Sequence, residues 1–438
     1  MLLVQNIARL IVDADTVLPD AALLIGDDGR IAAVGARVPA PAGCETLDAS
    51  RCAVLPGLIN AHTHLWQQAA MGRRDDLPLS AWVDAVLTPS IRALYAVRER
   101  DKRARLAYLI ATLGACQMLH SGVTSFLDME LNYAQDGMQE ACAALGVRGY
   151  FGVELADRFL PDGDGKRRDM AEITRLLAKY PGSTALTPSE LNLCSDEALR
   201  FIADAAEKTG APVQMHVGET AREAAQVKAE RGAASLLALD RFSLLSPRFS
   251  AVHGIHMGED EIALAAKRGI SVVYDPKSNM KLASGVCPVR TLLAAGINVA
   301  LATDGPASND RLDMFEELRA GVLLQKISAG DPGALTARDV FAMATMGGAR
   351  LLGLDAGRLC PGCLADFSVL PLDAPHLIGA ENDIVSALVH CAASGDVRDV
   401  FVGGRRVLKD DRVPGVDETA LAREMTEILA EGNHVQSE

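Results

Sequence analysis

The pattern of apolar and polar positions changes near residue 52. Before that point, short apolar stretches alternate with polar turns. Residues 22–25 and 31–34 flank Asp27-Asp-Gly-Arg, where Gly29 can supply a positive φ, and they predict a β-hairpin. Beyond residue 52, apolar runs of strand length are separated by segments of helix length. That alternation is typical of a parallel sheet with crossover helices.

Eight such runs follow one another along the chain. They span residues 53–64, 123–129, 147–154, 184–188, 212–217, 249–254, 270–274 and 297–303. The segments between them have helix signals; Ser195 begins one helix as an N-cap, for example, and Gly210 ends it. Eight strands with intervening helices close a barrel, so the pattern predicts an α/β protein with a (β/α)₈ TIM-like barrel.

A β signature returns after the barrel runs. Residues 364–370 and 397–408 are predicted to form a strand and a hairpin, and a helix follows from Glu418 to about Leu429. The most economical organisation places residues 1–55 and 363–438 together in a small β-sandwich domain with a C-terminal helix. Residues 56–362 then form the catalytic barrel.

The charge balance restricts the possible ligands. The 438 residues include 57 acidic and 43 basic side chains, a formal net charge of -14. This argues against a nucleic-acid partner or an anionic membrane surface and favours a small molecule. Asp13 and Asp15 interrupt the N-terminal apolar stretch, and no apolar run has the length of a membrane span, so we expect a cytoplasmic protein without a membrane partner. The nine scattered cysteines, including Cys360 and Cys363, are expected to be reduced.

Polar residues with metal-binding chemistry end several of the predicted strands. His62 and His64 are two positions apart at the end of the first run, so both can point into the barrel and chelate one ion. His216, His253 and Asp304 end three other runs. Because catalytic groups in such barrels come from the carboxyl ends of different strands, we expect these side chains to meet.

The motifs that contain these residues resemble those of the amidohydrolase superfamily. They are Pro56-Gly-Leu-Ile-Asn-Ala-His-Thr-His, His216-Val-Gly-Glu-Thr, Val252-His253, Ser278-Asn-Met-Lys-Leu-Ala-Ser-Gly and Thr303-Asp-Gly-Pro-Ala-Ser-Asn-Asp. The resemblance extends over essentially the whole chain and is to the branch of cytosine, guanine and adenosine-type deaminases and triazine hydrolases. It implies that His62, His64, His216 and Asp304 bind one divalent metal, that Glu219 and His253 serve the chemistry, and that the chain forms a dimer.

The donor set predicts the kind of ion. Three neutral imidazoles and a carboxylate suit Zn²⁺, with Fe²⁺ or Mn²⁺ as alternatives, and leave a position for water. No lysine ends the fourth run, so the carbamylated lysine of two-metal relatives is not available there. A divalent ion lowers the pKa of its water from about 15.7 to about 7, which makes metal-bound hydroxide the expected nucleophile.

Hydrolysis of an amino group on a ring also needs proton transfer. Glu219, three residues beyond His216, is placed to carry a proton from water to the ring and then to the leaving amine. Asp304 can share the first proton while it holds the metal, so it is a catalytic candidate as well as a ligand. His253 is expected to hydrogen-bond the attacking oxygen.

Five positions are candidate substrate contacts. Gln67 lies where relatives resembling guanine deaminases place a ring-pairing glutamine, and Trp66 precedes it. Ser189 and Tyr274 stand where relatives have histidines, and Asp275 after Tyr274 is a candidate for binding an exocyclic amine.

Two further departures from the family pattern argue against a nucleoside substrate. Ile91 replaces the ribose-binding glutamate of the adenosyl-type deaminases, and Val153 replaces an arginine. We therefore predict a hydrolase that deaminates an amino-substituted nitrogen heterocycle, such as an oxidised purine, pterin, pyrimidine or triazine. Alternatives are triazine hydrolysis with release of chloride or an alkylamine, and deamination of an S-adenosylhomocysteine or methylthioadenosine-type nucleoside. A non-catalytic barrel that binds a heterocycle is the least favoured hypothesis.

Overall fold

The computed structural model describes residues 1–131, 134–158 and 170–434. Its strands are β1 (Leu2–Ile11), β2 (Val17–Ile25), β3 (Ile31–Gly35), β4 (Glu45–Asp48), β5 (Cys52–Pro56), β6 (Leu58–Thr63), β7 (Val123–Glu130), β8 (Arg148–Glu154), β9 (Thr184–Thr187), β10 (Val213–Val217), β11 (Phe249–His253), β12 (Ser271–Tyr274), β13 (Asn298–Leu301), β14 (Phe367–Pro371), β15 (Asp399–Val402) and β16 (Arg405–Leu408).

Helices alternate with the strands through the middle of the chain. They are α1 (Leu79–Trp82), α2 (Thr88–Ala96), α3 (Arg100–His120), α4 (Gln135–Leu145), α5 (Met170–Lys179), α6 (Asp196–Thr209), α7 (Ala221–Arg231), α8 (Ser235–Asp240), α9 (Glu259–Arg268), α10 (Pro276–Lys281), α11 (Val289–Ala294), α12 (Pro306–Asn309), α13 (Met314–Ala329), α14 (Ala337–Ala342), α15 (Gly348–Leu352), α16 (Ile384–His390) and α17 (Glu418–His434). Among the described helices, none is both long and apolar enough to cross a membrane.

The strands β6 to β13 form the predicted barrel. They pair in parallel and in chain order, each with the next. One side-chain and one backbone hydrogen bond join the first strand to the residues that follow the last: Asn60 donates from Nδ2 to Thr303 Oγ1 over 2.8 Å, and the Asp304 N–H donates to the His62 carbonyl over 3.2 Å. The predicted (β/α)₈ architecture is confirmed.

The side domain is one mixed sheet built from both ends of the chain. Its order is β16-β15-β14-β5-β1-β2-β3, with β4 beside β1. The hairpin of β2 and β3 is as predicted, and Gly29 has φ +74° in its turn. The long helix α17 lies on the barrel, where Glu424 receives both hydrogen bonds of the Arg105 guanidinium at 2.7 Å.

One predicted run divides into two strands. Cys52–Pro56 is β5, which pairs with β14 in the side sheet, while Leu58–Thr63 is β6 of the barrel. Gly57 between them has no room for a side chain, because a Cβ there would lie 2.2 Å from Thr124 Oγ1. The close approach of the Gly57 backbone to β7 is therefore the point where the chain passes from one sheet to the other.

Candidate metal centre and active site

A cavity of about 620 Å³ opens at the carboxyl ends of the barrel strands. His64, His216, Glu219, His253 and Asp304 all line it. A barrel places such a cavity above a packed interior, because its strand ends diverge there while the side chains below fill the core. The structure thus brings together, at one mouth, groups that lie far apart in the sequence.

Three imidazoles form the centre of the site. One nitrogen each of His62, His64 and His216 lies within 4.8 Å of the others. Asp304 Oδ1 is 3.4 Å from both His62 Nε2 and His64 Nε2. The register of β6 on β7 shifts between Asn60 and Thr63, and this bulge at His62 is of the kind that re-aims side chains beside active sites.

The far nitrogen of each imidazole is held by an oxygen atom. Nδ1 of His62 faces Gln214 Oε1 at 2.7 Å, Nδ1 of His64 faces the Met129 carbonyl at 3.0 Å, and Nδ1 of His216 faces the Ser189 carbonyl at 3.0 Å. Because these oxygens accept hydrogen bonds, the proton of each ring is assigned to Nδ1 and the Nε2 lone pair is free. His62 Nε2 is buried and has no hydrogen-bond partner in the described part of the chain.

Burial keeps His64 and His216 neutral. It lowers the pKa of His64 to about 4, with neighbouring His62 acting in the same direction. Burial also lowers the pKa of His216 well below its ordinary value. Neutral rings with free Nε2 atoms, a nearby carboxylate and an orphaned buried nitrogen fit a divalent metal, so His62, His64, His216 and Asp304 are the residues that would hold it.

Asp304 is held by its own backbone and by two hydroxyls. Its φ is +59°, an uncommon conformation for a residue with a side chain and one that is enriched at functional sites. Ser278 donates to Oδ2 over 2.6 Å and Ser308 over 2.9 Å. These bonds occupy Oδ2 and leave Oδ1 directed at the imidazoles.

His253 also has a left-handed backbone, with φ +69°. Its neighbour Val252 packs with the apolar residues inside the barrel, so strand alternation alone would point His253 outward. The turned backbone brings the ring to the mouth instead, where it stacks on His216 with ring centroids 5.4 Å apart. His253 Nδ1 faces Asn279 Oδ1 at 2.9 Å, and Nε2 lies 3.5 Å from Glu219 Oε2.

Glu219 is almost fully enclosed, with 6% of its surface exposed. Ser284 donates to Oε1 over 3.1 Å, while Oε2 faces His253. Burial, with the nearby carboxylate of Asp304 acting in the same direction, raises the pKa of Glu219 to about 8. A carboxyl group with this pKa can hold a proton at neutral pH and release it in the site.

Three of the candidate substrate contacts line the cavity. Trp66, Gln67 and Ser189 all do so, and Trp66 packs edge-on to His64 with ring centroids 6.3 Å apart. The Gln67 amide is fixed at one end, because its Oε1 accepts from the Ala307 N–H over 3.3 Å.

The structure does not bring Tyr274 or Asp275 to the cavity wall. Tyr274 is the last residue of β12; Val273 faces the barrel interior, so the Tyr274 ring points outward onto α13. There its hydroxyl donates to the Gly321 carbonyl over 3.2 Å, away from the residues that line the cavity. Asp275 is fully buried behind His253, with Oδ2 3.5 Å from His253 Nδ1.

The motif analysis missed Gln214. This side chain is fully buried, and besides facing His62 it donates from Nε2 to the Ala61 carbonyl over 3.0 Å and to Ser250 Oγ over 3.1 Å. It lies two residues before His216 on the same strand, so the two share a face. A buried amide at that spacing from a ligand was a signal available in the sequence.

Comparison with known proteins agrees with this geometry. The model of the Amidohydrolase family matches residues 53–407. The chain belongs to this family. It is 37% identical over 399 residues to a 5′-deoxyadenosine deaminase of Methanothermobacter thermautotrophicus, with 90% of each chain covered.

Two solved structures of the amidohydrolase fold are similar over their whole length. An adenosine deaminase from Xanthomonas campestris with bound zinc superposes with a TM-score of 0.89 at 32% identity, covering 99% of this chain and 98% of that one. An atrazine chlorohydrolase from Arthrobacter aurescens TC1, complexed with zinc, superposes with a TM-score of 0.88 at 25% identity, covering 98% of this chain and 100% of that one. The amidohydrolase fold and a divalent-metal site thus agree with the residues assembled at the barrel mouth.

Proposed function

We propose that this amidohydrolase removes an amino group from a nitrogen heterocycle by hydrolysis and releases ammonia. The observation that carries the proposal is the position of the Glu219–His253 pair beside the three imidazoles and Asp304 in one cavity. A bound divalent ion supplies a water of lowered pKa at neutral pH. The remaining chemistry is proton transfer, which side chains in the cavity carry out.

Glu219 is the proposed proton carrier. Water adds its oxygen to the amino-bearing ring carbon; one water proton passes to the adjacent ring nitrogen and the other to the amine, which leaves as ammonia. The enclosed Glu219 carboxyl can make both transfers, because it gains and loses a proton near neutral pH. His253 Nε2, 3.5 Å from Glu219 Oε2, hydrogen-bonds the attacking water, and Asp304 and Glu219 share the first proton that this water releases.

The similar proteins suggest nucleosides as a second substrate class. Proteins named as 5′-deoxyadenosine and adenosine deaminases are 37% and 32% identical to this chain. Against this class, the cavity wall has the apolar Ile91 where the family resemblance implies a ribose-binding glutamate. Ammonia release from free aminopurines, pterins and triazines, compared with adenosine and 5′-deoxyadenosine, distinguishes the two classes, and chloride release from atrazine would favour the triazine alternative.

The substitution Glu219→Gln tests the mechanism. We expect it to keep the bound metal and to slow ammonia release by roughly 100-fold or more, because the amide cannot carry a proton. The matched control is Glu207→Gln on the exposed side of α6, which should retain wild-type turnover. Unchanged turnover in Glu219→Gln would remove Glu219 from the mechanism.

Three finer features belong to the same proposal. Zinc is the proposed ion, since it suits three imidazoles and a carboxylate and two similar structures contain it. A cytoplasmic location is proposed as well. A homodimer is proposed on the family resemblance, with light scattering of the purified protein as the test of the dimer. The division into residues 1–55 with 363–438 and residues 56–362 is supported by the pairing of β5 with β14, which joins the two chain ends in one sheet.

A further inference from the structure

One carboxylate in the cavity wall has no role in the chemistry described above. Glu190 follows Ser189 in the loop after β9, and its backbone pairs with that of the ligand His216. Its side chain lines the same cavity as Glu219 and Asp304. The sequence motifs did not single it out.

Glu190 has no partner within the part of the chain that the structure describes: no hydrogen bond or ion pair joins its carboxyl group to another side chain or to the backbone. It is the N-cap of a 3₁₀ turn, Leu191–Leu193, yet its side chain makes no capping bond. Its neighbour Glu219, by contrast, accepts from Ser284. The Glu190 side chain is half-buried and lines the cavity, so its carboxyl group can accept a hydrogen bond from a ligand bound there.

The charges around Glu190 restrict that ligand further. Glu190, Glu219 and Glu223 line one side of the cavity. Apart from histidines, the cationic side chain among the described lining residues is Arg222, and its Nη1 already donates to Ser80 Oγ over 3.1 Å. An anionic substrate would meet these acidic groups, so the described lining residues favour an uncharged or cationic substrate over an anionic one.

We propose that Glu190 determines substrate specificity by accepting a hydrogen bond from an N–H or O–H group of an aminopurine base or nucleoside, a group other than the amino group that leaves. The inference rests on the proposed deamination. In this proposal the loop between β9 and α6 supplies a hydrogen-bond acceptor for the substrate, which the apolar Ile91 of α2 cannot supply. The cavity is likewise assigned to uncharged purines in preference to their phosphates.

Two pairs of compounds test the proposal, each differing in one kind of donor. The pairs are adenine with 2,6-diaminopurine, and 2′,3′-dideoxyadenosine with adenosine; AMP serves as the anionic probe. Zinc-loaded wild type, Glu190→Gln and the control Glu207→Gln are compared by kcat/KM for ammonia release and by calorimetric Kd. We expect one of the two pairs to differ in the donor whose hydrogen bond Glu190 accepts. For the member of that pair that carries the donor, Glu190→Gln should lower kcat/KM and raise Kd by about 10- to 100-fold, because a hydrogen bond to a charged group is lost. For the other member of that pair the change should be under about threefold.

The outcomes separate the two proposals. Equal effects of Glu190→Gln on both members of both pairs, or no effect, overturn the role of Glu190. Wild-type protein that binds none of the four purines, or binds AMP as tightly as adenosine, overturns it as well. If the wild type binds a purine without releasing ammonia, the proposed deamination fails, while the Kd values still decide whether Glu190 recognises the donor.

Discussion

The most informative perturbation of the site is Gln214→Leu, which leaves all four proposed metal ligands in place. Leucine fills a similar volume but cannot accept the His62 Nδ1 proton or donate to the Ala61 carbonyl and Ser250 Oγ. Each buried group left unpaired costs about 1–3 kcal/mol. The metal-free protein should therefore unfold at a lower temperature than the wild type.

We expect Gln214→Leu to weaken metal binding as well as the stability of the fold. Without its acceptor, the His62 ring loses its fixed orientation and tautomer, and loss of such a partner weakens metal affinity by about 10- to 100-fold. Competition for Zn²⁺ against a chelator of known affinity measures this directly. The control is Gln139→Leu, because both ends of the Gln139 amide are hydrogen-bonded too, here to Ser183, which precedes the amino end of β9. Gln139→Leu should lower stability without changing zinc affinity. Zinc affinity within about twofold of wild type in Gln214→Leu would refute the argument.

Two further predictions concern a second residue that supports the metal site and a histidine outside that site. Ser278→Ala removes the 2.6 Å hydrogen bond to Asp304 Oδ2 and should weaken zinc binding by roughly 10-fold in the same competition assay; unchanged affinity would contradict the idea that this hydroxyl orients the carboxylate. His120 lies between Glu418 of α17 and Asp411; the hydrogen bond to Glu418 raises its pKa despite partial burial, and Asp411 acts in the same direction. The resulting stabilisation is complete below the ordinary histidine pKa of about 6.5 and disappears as pH rises through the raised value, so wild-type and His120→Gln melting temperatures should converge with increasing pH. A constant difference across that range would be inconsistent with this origin.

The parts of the fold that follow simple periodicities were predictable from sequence. Parallel strands end at the same edge of a barrel, so histidines at the ends of separate apolar runs had to meet, as His62, His64 and His216 do. The β2–β3 hairpin and the α6 helix with its Ser195 and Gly210 caps were likewise local signals. These features depend on a few neighbouring residues, which is why they can be read without the tertiary structure.

Other features depend on tertiary geometry. Nothing in the sequence reports that His253 and Asp304 have positive φ, yet that conformation turns His253 from the outside of the strand to the mouth. Tyr274 was expected to reach the substrate because of its alignment with a family histidine, whereas alternation along β12 sends it outward to Gly321. Glu190 escaped notice because an acidic loop residue is ordinary in sequence, and only its place in the cavity distinguishes it.

The central claim is that His62, His64, His216 and Asp304 bind a single divalent ion. Zinc K-edge absorption on protein reconstituted with zinc and freed of excess metal, together with elemental analysis, tests it most directly. The account predicts about one equivalent of tightly held zinc, with three imidazole nitrogens at about 2.0–2.1 Å and a carboxylate oxygen. Less than half an equivalent, a second firmly bound ion, or a coordination shell with fewer than three imidazoles would contradict it.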